Sequence, residues 1–162
     1  MPDSYRGGGG ANPAPGNDAV HVADADALDT VDTADTVDIV RLQLPAIGAY
    51  LSVLRSATAG LAARLNFTIE EIEDLRIAVD EACALLLPSA VPGAHLDCEF
   101  ELFADELRVS VSVQTLDGAE PARDSFAWTV LSALAGDVNS RVDPNSRVSI
   151  DLLKRRAAVA AT

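Results

Sequence analysis

Aromatic residues make up only 4% of this 162-residue chain, with a single tryptophan and a single methionine. Any packed interior must therefore be built from Val, Leu, Ile and Ala. Basic residues are scarce too: 12 Lys and Arg stand against 25 Asp and Glu, a net charge of -13. Such a chain repels a phosphate backbone and anionic lipid, which excludes nucleic acid and anionic membranes as direct partners. The two cysteines, Cys83 and Cys98, are too few to staple a domain of this size, and no Cys/His cluster has zinc-ligand spacing, so no metal site is expected. They read as two buried thiols in a reducing compartment. His21 and His95 have no partner that would make either a ligand or a base. No apolar run approaches the roughly 18 residues that span a bilayer, and no basic stretch followed by an apolar one opens the chain. A cytoplasmic protein is the expectation, with no membrane partner.

What remains is an apolar fraction of 49%, enough for one domain of ordinary size. The chain divides near residue 38. Residues 1–38 combine Gly7 to Gly10, Pro13 and Pro15 with an Ala/Asp/Thr/Val mixture carrying Asp24, Asp26, Asp29, Asp32, Asp35 and Asp38. With eight acids and one base they hold -7, leaving -6 from the 17 acids and 11 bases that follow. Like charges without apolar anchors predict a disordered, solvated acidic tail.

Beyond it, Val40, Leu42 and Leu44 alternate with polar residues up to Pro45, the pattern of a half-buried strand. Ile47, Tyr50, Leu51, Leu54, Ala57 and Leu61 recur at three- and four-residue steps and predict a helix over about 46–64 with that face buried. Thr68 with Glu71 three residues on is a capping-box spacing and opens a second helix that Pro88 helps to end. Two alternating runs, Leu96 to Leu102 and Leu107 to Val113, flank a turn at 104–106 and predict an antiparallel hairpin. Phe126, Val130, Leu134 and Val138 predict a third helix, and Val148, Ile150 and Leu152 a last strand. The order β-α-α-β-β-α-β predicts an α+β two-layer sandwich with helices on one face of the sheet.

Chemistry concentrates on the second helix. Leu75, Val79, Ala82 and Leu86 fall in a narrow arc that faces the core, and Glu81 projects roughly 130° away from its middle. Ile77 and Leu85 lie on the same side as Glu81, four residues before and after. A carboxylate between apolar neighbours is either a tuned general base or an ordinary boundary residue, and the spacing does not choose.

The segment Asp74-Leu75-Arg76-Ile77-Ala78-Val79-Asp80-Glu81-Ala82-Cys83 resembles the signature helix of the RsbW-like anti-sigma factors, serine-kinase relatives within the GHKL (Bergerat-fold) ATPases. Leu44-Pro45-Ala46, Tyr50-Leu51 and Arg55 ahead of Gly60-Leu61-Ala62 look like that family's first strand and helix. Ser125-Phe126-Ala127-Trp128-Thr129-Val130-Leu131-Ser132-Ala133-Leu134, followed by Asp137-Val138, is similar to its divergent mycobacterial members. The resemblance implies a Bergerat-type sandwich over residues 39–156 on a mixed, mostly antiparallel sheet, with 157–162 as a C-terminal tail. It further implies a homodimeric anti-sigma factor that sequesters an alternative sigma factor and is opposed by an anti-anti-sigma protein, which the kinase form phosphorylates on serine with ATP. Glu81 matches the family's catalytic base, and Arg55 an arginine near the partner-docking surface.

The departures fall on the nucleotide. The asparagine that ligates magnesium four residues after the glutamate is here Leu85, which has no donor atom. The Asp-x-Gly-x-Gly box that reads adenine is reduced to Asp117-Gly118, so Asp117 is the one adenine-contact candidate and reads more readily as a turn. The glycine-rich start of the last helix is replaced by Arg123-Asp124-Ser125-Phe126-Ala127-Trp128. Magnesium and ATP are therefore expected to bind weakly. Two functions remain: a binding module that acts by occlusion, favoured by Leu85 and the missing glycines, and an active serine kinase, for which Glu81 speaks.

Overall fold

The computed structural model describes residues 38–158. Apart from Asp38, which opens the first strand, the expected acidic tail lies outside the described residues, as do residues 159–162. The elements run β1 (Asp38–Pro45), a 3-10 turn (Gly48–Tyr50), α1 (Leu51–Arg64), α2 (Ile69–Leu86), a second 3-10 turn (Leu87–Ser89), β2 (His95–Leu102), β3 (Glu106–Gln114), α3 (Phe126–Ala135), β4 (Asp137–Val142) and β5 (Arg147–Arg155).

Alternation sets the sheet. On β2, β3 and β5 every second side chain is apolar, and the register stacks them in rows: Cys98 opposite Val111 opposite Ile150, and Phe100 opposite Val109 opposite Leu152. These residues are buried, whereas the intervening Asp97, Glu99, Arg108, Ser110 and Asp151 form the other face. The strand order is β1-β2-β3-β5-β4, and every pairing is antiparallel. The parallel component expected of a mixed sheet is absent among the described strands. The connections explain this: a pair of helices returns the chain so that β2 runs against β1, and α3 followed by β4 does the same for β5 against β3.

All three helices cover the apolar face, with α2 between α1 and α3 and against β3 and β5. The stripe of α2 is as its periodicity predicts, Leu75, Val79, Ala82 and Leu86, widened by Ala78 and Cys83. Its start is a complete capping box: Thr68 Oγ1 accepts from the Glu71 amide at 3.2 Å, and Glu71 Oε2 accepts from the Thr68 amide at 2.7 Å. Glu71 Oε1 accepts a third bond from the Ala157 amide at 2.8 Å, tying the end of the sheet to the start of the helix. Burial raises the Glu71 pKa, but the bonds from Ala157 and Thr68 outweigh it and hold the carboxyl below its ordinary value.

Three expectations are corrected. The first helix begins with a 3-10 turn, and its buried positions are Leu54, Thr58 and Ala62, while Ile47 and Tyr50 are exposed. Thr58 can enter the core because its hydroxyl donates to the Leu54 carbonyl one turn back, at 2.8 Å. The third helix buries Trp128, Leu131 and Ala135, and Phe126 is 84% exposed. Four-residue steps drift around a helix by about 40° each, so the Phe126–Val130–Leu134 series starts on the outer side and only approaches the core at Leu134, while the three-then-four spacing of Trp128, Leu131 and Ala135 stays on it. Val138 is not on that helix: Gly136, at φ +87°, ends it and turns the chain into β4. An edge strand reading Asp-Val-Asn-Ser-Arg-Val has too few apolar residues to declare itself.

Both thiols are buried as expected; burial pushes the Cys83 pKa up strongly and that of Cys98 up to about 12, leaving neither a ready nucleophile.

Replacing Thr68 by Ala should cost about 1 kcal/mol of unfolding free energy in urea titrations, the usual value of an N-cap side chain. Because the folded-state pKa of Glu71 lies below its ordinary 4.5, its stabilisation is present above that pH and is lost as pH falls through the folded value. The deficit of a Glu71→Gln variant, read from melting curves at pH 7 and in acid, should shrink accordingly.

Candidate functional site

Antiparallel packing of α1 against α2 brings Arg55 to Asp80, with Nε 3.4 Å from Oδ2. Arg76 stands one turn before Asp80 on the same helix face and bonds Glu73. Burial raises the Asp80 pKa above the ordinary carboxyl value; the charges of Arg55 and Arg76 pull against that, and Glu81 adds to it. Arg55 Nε, Arg76 Nε and Asp80 Oδ1 are all shut off from solvent without a hydrogen-bond partner. Glu81 itself is half-buried, next to an exposed Ile77, and no hydrogen bond or ion pair engages it among the described residues. Arg55 and Asp80 thus meet at the α1–α2 seam, whereas Glu81, about 100° further round the helix, lies on the other flank of α2 with Ile77 and Leu85. Neither Asp80 nor Arg76 was singled out from sequence. Their four-residue spacing on one helix was the available signal; the pairing with Arg55 is tertiary.

The nucleotide candidates lie elsewhere. Leu85, where the resemblance implies a magnesium ligand, is half-buried and packs against the core. It lines a cavity of about 100 Å³ together with Leu86, Ser89, Thr115, Glu120 and Pro121. Ligand sites run from about 300 to 1,000 Å³, so this space is too small for a nucleotide. Glu81 is not among its lining residues. Asp117 is exposed and its Oδ1 accepts from the Ala119 amide at 3.1 Å, while the Gly118 amide bonds Thr115 Oγ1 at 3.0 Å. Asp117 therefore caps a turn.

At the start of α3 the Trp128 amide is taken by Ser125 Oγ at 3.2 Å. Arg123 donates to Asn139 Oδ1 at 3.0 Å and Ser140 Oγ at 3.1 Å, and its guanidinium lies 5.3 Å from the Trp128 ring centre. Ser140 in turn donates to Glu120 at 2.6 Å. Segment 115–124 is pinned onto β4 by these bonds, which were invisible while β4 was unread. The residues present do not fit magnesium-ATP: a ligand position is aliphatic, the helix start is capped from within, and the nearby arginine is committed.

The polar face of the sheet carries ion pairs across its strands, including Arg41–Glu99 at 2.6 Å, Arg141–Asp151 at 2.6 Å and Arg147 with Asp97. Two broad hollows of about 380 and 640 Å³ open there, meeting at Glu99, Ser110 and Arg141. No helix among the described residues is long and apolar enough to cross a membrane.

No family model matches the sequence. The chain is 34% identical over 143 residues to the anti-sigma-F factor RsbW of Mycobacterium tuberculosis, a match covering 85% of this chain and 84% of that protein. It is 29% identical over 100 residues to the serine-protein kinase RsbW of Halalkalibacterium halodurans, covering 52% of this chain and 62% of the relative. Against the serine-protein kinase RsbW of Listeria innocua the identity is 40% over 76 residues, 45% of this chain and 48% of that one. The fold is similar to that in the crystal structure of the RsbU and RsbW domains of Rv1364c from Mycobacterium tuberculosis, with TM-score 0.60 at 15% identity over 76% of this chain and 34% of that longer one. With 34% identity to such a relative over more than four fifths of both chains, the protein belongs to the RsbW family of anti-sigma factors.

Proposed function

We propose that this chain is an anti-sigma factor that sequesters an alternative sigma factor by occlusion and is released by a competing anti-anti-sigma protein. The carrying observation is its likeness, over most of both chains, to a relative named for that activity. In this reading the protein works in the cytoplasm as a homodimer, Arg55 on α1 contacts the sigma factor, and magnesium-ATP is dispensable. Residues 1–37 serve as an acidic extension that modulates attraction to basic surfaces. The aliphatic Leu85 and the small cavity around it support a module that has kept the family's protein-binding surface without its nucleotide chemistry.

The second reading, a serine kinase acting on the anti-anti-sigma protein, rests on Glu81 and on the kinase relatives. Titration calorimetry separates the two. The first expects weak or no heat with magnesium-ATP, and Leu85→Asn should not create tight binding, since the adenine and phosphate elements are lacking as well. Sub-micromolar, magnesium-dependent affinity in the unaltered chain would reverse the preference.

Capture of partners by the tagged full chain from its native cytoplasm, with identification of the bound proteins, tests the leading reading directly. Recovery of neither a sigma factor nor a small anti-anti-sigma protein sinks both readings. With the captured sigma factor purified, Arg55→Ala should weaken the complex by about 1–3 kcal/mol, the range for a lost bond to a charged group. Glu81→Gln should leave that affinity within error. A folded Arg55→Ala protein that binds normally defeats the docking assignment.

A further inference from the structure

Arg55 does not stand alone on α1. Its Nε lies 3.4 Å from Asp80 Oδ2, and that nitrogen is sealed from solvent although the side chain as a whole is 42% exposed. The solvent-facing surface is therefore carried by the rest of the side chain. Asp80 is half-buried between Arg55 on α1 and Arg76 on its own helix, with Glu81 beside it, and its Oδ1 has no donor. Nothing in core packing requires a carboxylate here: the buried stripe of α2 is formed by Leu75, Ala78, Val79, Ala82, Cys83 and Leu86. Burial opposes the charged form of Asp80, so the carboxylate works against stability. A charged group placed at such a cost beside an exposed cation is better explained by binding than by folding.

We propose that Asp80 is the positioning residue of the partner contact: it anchors Arg55 at the α1–α2 seam from the Nε side, so that the remaining guanidinium nitrogens meet an acidic group of the sigma factor already oriented. This rests on the reading of Arg55 as a docking residue. An arginine held in one geometry loses less side-chain freedom on binding than a free one. The anchor thereby acts on affinity through Arg55, without touching the partner. Arg76, whose Nε is equally sealed, bonds Glu73 and so leaves Asp80 as the anion available to Arg55.

The test uses the full chain with Asp80→Asn, Arg55→Ala and the double variant, each measured for melting temperature and for affinity to the purified sigma factor obtained by capture. Asp80→Asn is expected to melt no lower than the unaltered chain at pH 7, since the raised folded pKa makes the carboxylate's penalty complete above that pKa and absent below the ordinary 3.8. It should nevertheless bind at least fivefold more weakly, and that loss should vanish in the Arg55→Ala background. Asp80→Glu should recover part of the affinity. In the free protein, the Arg55 Nε–H resonance should move toward its random-coil position in Asp80→Asn, a readout that needs no partner. Equal or tighter binding by Asp80→Asn, an equal loss in both backgrounds, or an unmoved Arg55 resonance overturns the proposal. If the unaltered chain binds no sigma factor, the docking reading itself has failed, an outcome separate from these.

Discussion

Helix α2 touches α1 on one side, α3 on the other and the two central strands beneath, so its orientation decides what every other layer can do. That orientation is held by few bonds of unusual economy. One carboxylate, Glu71, closes the capping box with Thr68 and receives the Ala157 amide from the end of β5, so the start of the helix is fixed both locally and to the sheet. Further along, Lys154 reaches from β5 to Asp74 and to the Leu134 carbonyl on α3. With the helix set in rotation, its apolar stripe faces the sheet. Arg76 and Asp80 are then carried to the α1 side as a matter of helical phase, and Asp74, Glu81 and Leu85 to the opposite flank.

The same rotation divides the polar side chains of α2 between two flanks. The α1–α2 seam is where charge is concentrated and incompletely paired. The other flank ends at Leu85, an aliphatic residue that packs against the core and lines a small cavity with Ser89, Thr115 and Glu120. Segment 115–124 is pinned onto β4 by Arg123, Glu120 and Ser140, so the Arg123 guanidinium is spent on closing the loop.

Elements whose signal is local were legible in advance. Thr68 and Glu71 announced the helix start, and the alternation through Leu96–Leu102 and Leu107–Val113 announced the antiparallel hairpin that is observed. Edge and end effects were not. β4 is an edge strand that buries Ser140 and little else, so its residues carry no apolar alternation to read. Phe126 looked like a core anchor because large apolar residues usually are, yet it lies on the outer side of α3.

For the site, the sequence alone determined the kinds of group present: an acid at 81, an arginine at 55, an aliphatic at 85, and an Asp-Gly turn at 117. Those identities suffice to remove a metal ligand, because leucine has no donor atom in any fold. What they do is a matter of distance. Arg55 and Asp80 are 25 positions apart, and only the antiparallel packing of two helices brings them within 3.4 Å. Asp80 drew no attention in the sequence because a carboxylate on a helix is ordinary when solvated. It became unusual when tertiary packing sealed its Oδ1 from water and set two arginines beside it. Local pattern is written in neighbouring residues, whereas desolvation and ion pairing belong to residues that meet only once the chain has closed.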